Sequence, residues 1–140
     1  MWIDGAGLEI LSRPECLRLL GGARTGRIAL SVKAMPTILP VRFVLDDQRI
    51  VVRAASSSTL AAATKLAVVA FEAEGVEPDS QQEWSVLVTG LADHVTDTEE
   101  LARLEILDLP QWSSAGDGCL VSISTDQLDG RRTVASQGVH

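Results

Sequence analysis

The sequence predicts a mainly β protein, a mostly antiparallel barrel of about six strands with short peripheral α-helices. Three observations lead there. Segments in which apolar and polar residues alternate follow one another through hairpin-like turns. Strands and helices nowhere alternate with the spacing of βαβ units. Only three stretches, all short, carry helical signals.

In chain order, "SRPECLRLLGG" reads as an opening helix: Ser12 caps it, Glu15 completes a capping box, Pro14 fits the first turn and Gly21-Gly22 stop it. Leu17 and Leu20 supply its apolar face. "TGRIALSV" alternates Ile28, Leu30 and Val32 with Arg27, Ala29 and Ser31, as a half-buried strand does. "MPTILPVRFVLDDQRIVVRA" reads as two strands joined at Asp46-Asp47-Gln48. Pro36 and Pro40 imply that the first begins irregularly, bulges, or lies at an edge. "SSSTLAAATK" is a short helix with hydroxyls before it, and "AVVAFEAE" and "EWSVLVTGLADHV" form a long hairpin across "GVEPDSQQ". "TDTEELARLEIL" opens with a Thr96/Glu99 capping box and repeats Leu101, Leu104 and Leu107 at helical spacing. "CLVSISTDQL" makes the last strand. Residues 1–10 and 133–140 read as loose termini of a single domain spanning 1–140.

Nearly half the residues are hydrophobic, yet there are two Phe, three Trp and no Tyr, so the core is expected to be aliphatic. A net charge of −7 argues against nucleic acid and anionic membrane surfaces as partners. Cys16 and Cys119, like His94 and His140, are too scattered for a metal site. No basic segment leads a long apolar run, so neither a secretion signal nor a membrane span is expected, and the expected location is the cytoplasm with free thiols.

Two readings of "RAASSST" stand side by side. Arg53 with Ser56, Ser57, Ser58 and Thr59 can present a guanidinium, hydroxyls and backbone N–H groups to one anion, phosphate above all. Alternatively Ser56 or Ser57 only caps a helix and Arg53 pairs with an acidic neighbour on an adjacent strand. Arg42 alternates with Val41 and Phe43 and is either solvent-facing or part of a cleft. Trp84 either stacks on a planar ligand or plugs the barrel end, and Trp112 reads as a lid over the core. No Ser or Cys has a His partner in a motif, so hydrolysis by a protein nucleophile is not expected and no catalytic acid or base is assigned.

Taken in order, "ECLRLLGGARTGRIALS", "PTILPVRFVLDDQRIVVRAASSSTLAAA", "VVAFEAE", "WSVLVTGLADHVTD" and "GRR" resemble the pyridoxamine 5′-phosphate oxidase-like family of FMN-binding split barrels, in particular its small actinobacterial-type members. The resemblance runs from about Leu11 to Arg132. It implies a split-barrel homodimer holding a flavin, usually FMN, in a groove at each side of the subunit interface. Some relatives hold a deazaflavin or haem instead. It places Pro40, Val41, Arg42 and Phe43 beside the flavin ring, Arg53 and Ser56 to Thr59 around the phosphate, and Trp84 and Ser85 at the cofactor from the next part of the barrel. The implied activity is a flavin- or deazaflavin-dependent oxidoreductase acting on a small-molecule substrate. The alternative is a non-catalytic split-barrel binding module that has lost FMN or exchanged it.

Two departures bear on this. The family commonly carries lysine where this chain has Thr59, and asparagine where it has Arg42. Losing one charge-assisted hydrogen bond costs about 1.5–3 kcal/mol, so FMN is expected to bind more weakly. Lys65, about six residues on and some 9 Å along a helix, is too distant to replace it. Arg42 is expected to crowd the ring or to bind an acidic group of the substrate.

Overall fold

The computed structural model describes residues 1–107, 109 and 118–135. Among these the order is β1 (Trp2–Ile3), β2 (Glu9–Leu11), α1 (Arg13–Gly22), β3 (Thr25–Val32), β4 (Met35–Asp46), β5 (Arg49–Ala55), α2 (Thr59–Ala63), β6 (Ala67–Val76), β7 (Glu83–His94), α3 (Thr98–Glu105), β8 (Gly118–Ser124) and β9 (Gln127–Arg132). Six strands close an antiparallel barrel in the order β7-β6-β3-β4-β5-β8, with β8 returning to β7. β9, β2 and β1 extend the sheet from the first half of β7. No helix of the described residues is long and apolar enough to cross a membrane.

Closure depends on β7. Residues 84–89 pair with β9 and 92–94 pair with β8, so one edge serves two neighbours. Where the chain crosses from β8 to β9, it passes over Gly90, at which a Cβ would overlap the Ser124 carbonyl oxygen. Only glycine allows that approach of two backbones.

Two-residue turns set the registers of the β3–β4 and β4–β5 hairpins. Their central residues, Lys33 and Ala34 (φ 51° and 64°) and Asp47 and Gln48 (φ 46° and 64°), have the paired positive φ of type I′ turns. β4 passes through both prolines without interruption. The Phe43 N–H donates to the Arg24 carbonyl at 2.9 Å, which by strict alternation puts Pro36 and Pro40 in non-hydrogen-bonded pairs with β3. Their missing donors face the other edge, where β5 pairs only with residues 43–46. Of the three options for Pro40, the edge is the one realised.

The barrel is filled by aliphatic side chains around a Phe43–Phe71 pair, edge to face at 4.8 Å between ring centroids. α1 covers one end, capped by Ser12, whose Oγ accepts the Glu15 N–H; it buries Cys16, Leu19 and Leu20, while Leu17 is only half-buried. A smaller core lies under α3, where Leu104 packs with Val51, Val95, Leu109 and Leu120.

Several expectations are corrected. Residues 1–10 are not loose: β1 and β2 join the sheet beside β9, and Asp4 ties their turn down by accepting the Ala6 and Leu8 N–H groups and pairing with Arg131. The last strand is two strands broken at Thr125-Asp126, the second running on through Gly130 to Arg132 as β9. The α3 cap is Asp97, which accepts the Glu100 N–H, one residue beyond Thr96. Trp112 and residues 136–140 lie outside the described residues.

Candidate functional site

The β4–β5 ladder ends at Phe43↔Val52. One step further it would set Arg42 opposite Arg53. Here the strands part instead, β4 continuing beside β3 and β5 beside β8. A cavity of about 360 Å³ opens in the gap, lined by Leu39 to Arg42 from β4, Arg53 to Ala55 from β5, and Ser58 to Leu60 below. Its wall is mostly aliphatic. Arg42 and Arg53 alternate with the buried Val41, Phe43, Val52 and Ala54, so both belong to the outward face of their strands.

Arg53 is held from below α3. Its Nε donates to the Leu109 carbonyl at 3.3 Å, and its terminal nitrogens reach Glu105 at 3.4 and 3.5 Å. The Arg53 side chain is 16% exposed while that of Glu105 is 54% exposed, so the carboxylate lies on the solvent side of a mostly covered guanidinium. The acidic partner thus comes from a helix and not from an adjacent strand. α3 is itself pinned to the β4–β5 turn: Arg103 grips Asp46 with two bonds of 3.0 and 2.9 Å, and Arg49 pairs with Glu100. The Arg103 guanidinium holds the Asp46 carboxyl below its ordinary value.

The hydroxyl block divides by position. Ser58, not Ser56 or Ser57, caps α2, its Oγ accepting the Ala61 N–H at 3.0 Å and donating to the Ala55 carbonyl at 2.6 Å. Ser58 and Thr59 line the gap. Ser57 is exposed in the turn, and Ser56 lines a different cavity with Lys65, His94 and Cys119. Lys65 therefore does not reach the Arg53 cavity. His94 fixes the end of α2, its Nε2 lying 2.7 Å from the Ala61 carbonyl.

The remaining sequence-derived residues separate into two places. Pro40, Val41 and Arg42 join Arg53, Ser58 and Thr59 at the gap, whereas the Phe43 ring sits in the core. Trp84 and Ser85 line another cavity of about 380 Å³ with Leu8, Arg131, Arg132 and Thr133. Trp84 is buried with its indole against Gly75, where a Cβ would come within 2.9 Å of the ring. Beside it Arg132 pairs with Glu9, Glu15 and Glu77, and Arg18 also pairs with Glu15 and Glu77. Leu39 and the Glu105 clamp were not foreseen; their sequence separation from Arg53 gives no local signal.

The sequence pattern of the pyridoxamine 5′-phosphate oxidase family matches residues 12–132. An uncharacterized protein of Mycobacterium tuberculosis, Rv0080, is 35% identical over 130 residues, covering 89% of this chain and 85% of that protein. Among solved structures, the FAD binding protein from Mycobacterium smegmatis is 33% identical with a TM-score of 0.78, covering 89% of this chain and 98% of that one. A putative pyridoxamine 5′-phosphate oxidase from Corynebacterium glutamicum is 28% identical with a TM-score of 0.80, covering 94% and 96%. With its barrel, its strand order and this match over nearly its whole length, the chain belongs to the pyridoxamine 5′-phosphate oxidase family.

Proposed function

We propose that the chain is a flavin-binding oxidoreductase whose cofactor lies in the gap between β4 and β5. The observation that carries this is the gap itself: an aliphatic cleft bordered by two guanidiniums and two hydroxyl residues, with no Asp or Glu among its described lining residues. The volume falls in the range of roughly 300–1,000 Å³ typical of small-molecule sites. Its chemistry fits a flavin, an apolar ring system joined to an anionic phosphate. When bound, the flavin supplies hydride or electron transfer. The chain's part is to orient it: Leu39, Val41 and Ala54 offer apolar surface, while Arg53 and Thr59 offer donors to phosphate.

The names of the M. smegmatis and C. glutamicum relatives support the reading, the first being an FAD binding protein and the second a putative oxidase of this family. FMN remains the family expectation, with deazaflavin or haem as other ligands of the same fold. The Arg53–Glu105 pair favours a second reading, a non-catalytic module in which Arg53 is structural.

We extend the proposal to a homodimer. On the outer face of β4-β3-β6-β7, Ile38, Ala29, Ala70 and Thr89 form one cross-strand row, and Val68 opposite Leu91 the next. Ile38 and Val68 are 67% and 72% exposed. Such an apolar strip fits a second copy. Arg42 and Ser85 lie on this same side of β4 and β7. In a pairing through this strip, the Ser85 face of β7 would lie at the interface, with Trp84 behind it on the inner face.

Titration with FMN and FAD, read by flavin fluorescence, tests the cofactor. Binding in the low micromolar range or tighter supports it, and no binding at high micromolar concentration refutes it. Turnover of reduced nicotinamide with an acceptor separates the oxidoreductase from the passive module. Sedimentation of a monomer at micromolar concentration would exclude the shared groove.

A further inference from the structure

We infer that Cys119 is a nucleophilic thiol that exchanges with small anionic disulfides, in a cavity on the far side of α2 from the β4–β5 gap. Ser58, Thr59 and Leu60 face the gap, whereas Ala61 and Ala62 line this second cavity of about 290 Å³ with Ser56, Lys65, His94 and Cys119. No sequence motif announces it, because Cys119 and His94 stand on different strands and meet only through the register of the barrel. β7 and β8 pair His94 with Val121, and the Val95 N–H donates to the Leu120 carbonyl. Side chains alternate along a strand, so Cys119 shares the face of Val121 and is the diagonal neighbour of His94. Such neighbours stand about 7–8 Å apart, within reach of an aromatic ring.

Hydrogen bonding assigns the tautomer of His94. Its Nε2 lies 2.7 Å from the Ala61 carbonyl oxygen, which can only accept, so Nε2 carries the proton. In the neutral ring the lone pair is then on Nδ1, and His94 can act as a base. Cys119 is a free and partly exposed thiol, whereas Cys16, the chain's other cysteine, is buried. Lys65 stands exposed at the rim, and the described lining contributes no carboxylate. Asp93 lies on the opposite face of β7, where it accepts the Leu66 and His94 N–H groups. A thiolate is the attacking species in disulfide exchange. The Cys119 proton passes to His94 Nδ1, and the thiolate attacks one sulfur of the small disulfide. The reagent's S–S bond breaks as the new one to Cys119 forms, and the departing thiolate takes the proton back from His94. The small disulfide is the oxidant: half of it leaves as a thiol while Cys119 is oxidised to the mixed disulfide. Lys65 selects reagents that carry a carboxylate.

Dithiodipropionate and cystamine, disulfides of matched length and opposite charge, are the probes, read by intact mass and peptide mapping of the whole chain. The wild type should take up one adduct, on Cys119, that dithiothreitol reverses. No adduct, or one on Cys16 instead, overturns the inference. Lys65→Gln should lower the ratio of anionic to cationic probe rates more than Lys33→Gln, which removes the same charge from the exposed β3–β4 turn. Equal changes overturn the preference for an anionic reagent. His94→Gln keeps a donor for the Ala61 carbonyl but has no base. It should react several-fold more slowly than the wild type near neutral pH and match it at alkaline pH, where a thiol ionises unaided. Equal rates near neutrality, or a rate lowered equally at every pH, overturn the role of His94. The lysine pair keeps the test decisive should the histidine variant be unstable. No step uses a flavin, so the result stands apart from the cofactor reading.

Discussion

Whether Arg53 belongs to a ligand or to Glu105 is decided by substituting each in turn. The pair is long, 3.4–3.5 Å, and its carboxylate is more than half exposed. An ion pair of that kind contributes about 0.2–1 kcal/mol after solvent screening. A charge-assisted bond from a mostly covered guanidinium to phosphate contributes on the order of 1.5–3 kcal/mol. The phosphate should therefore win the competition, and Glu105 should act as a placeholder. Arg53→Ala is expected to weaken flavin binding about ten- to a hundredfold. Glu105→Gln, which removes a competing and repelling carboxylate, should leave the affinity equal or raise it, with at most about 1 kcal/mol lost in stability. The assay is flavin titration beside urea unfolding of the same preparations. If Glu105→Gln weakened flavin as much as Arg53→Ala, or Arg53→Ala left affinity unchanged, the reasoning would fail.

Gly90→Ala forces a Cβ into the Ser124 carbonyl where the barrel closes, and should cost about 3 kcal/mol, a fall in Tm on the order of 10 °C by calorimetry; an unchanged Tm would show that the crossing is looser than described. Replacing Lys33-Ala34 by Asn-Gly relieves two positive-φ positions in a type I′ turn and should stabilise the fold by roughly 1 kcal/mol in denaturant unfolding. Glu15 and Glu77 are held below their ordinary value of 4.5 chiefly by the Arg18 guanidinium, and Asp46 below 3.8 by Arg103. A depressed carboxyl contributes stability that is complete above its unfolded pKa and lost as pH falls through the folded one. Tm should accordingly be level near neutrality and drop below about pH 4.5, and Glu77→Gln should flatten the drop.

Much of the barrel was legible because its strands alternate cleanly. β3, β4 and β5 stand where period-two patterning and the Asp46-Asp47-Gln48 turn put them. What the sequence concealed has physical reasons. Lys33-Ala34 lacks the Asn or Gly of a type I′ turn, so the β3–β4 hairpin tolerates positive φ without advertising it. "CLVSISTDQL" reads as one strand because the break at Thr125-Asp126 follows from which part of β7 each half pairs with. Residues 1–10 gain order from Arg131 and Arg132, more than 120 positions away.

The site shows the same division. The sequence by itself determined the chemistry available to "RAASSST" and its neighbour "LPVRFV": a guanidinium on each strand, hydroxyls at the turn, aliphatic residues between, and no lysine at Thr59. Only the tertiary structure decided how these are used. It parted the strands after Phe43↔Val52, took Ser58 for the helix cap, gave Arg53 to Glu105, and sent Trp84 to another cavity. Strand pattern and side-chain chemistry are local and can be read along the chain. Which strands stay paired, and which side chain meets which, depends on closing a barrel whose partners are scores of residues apart.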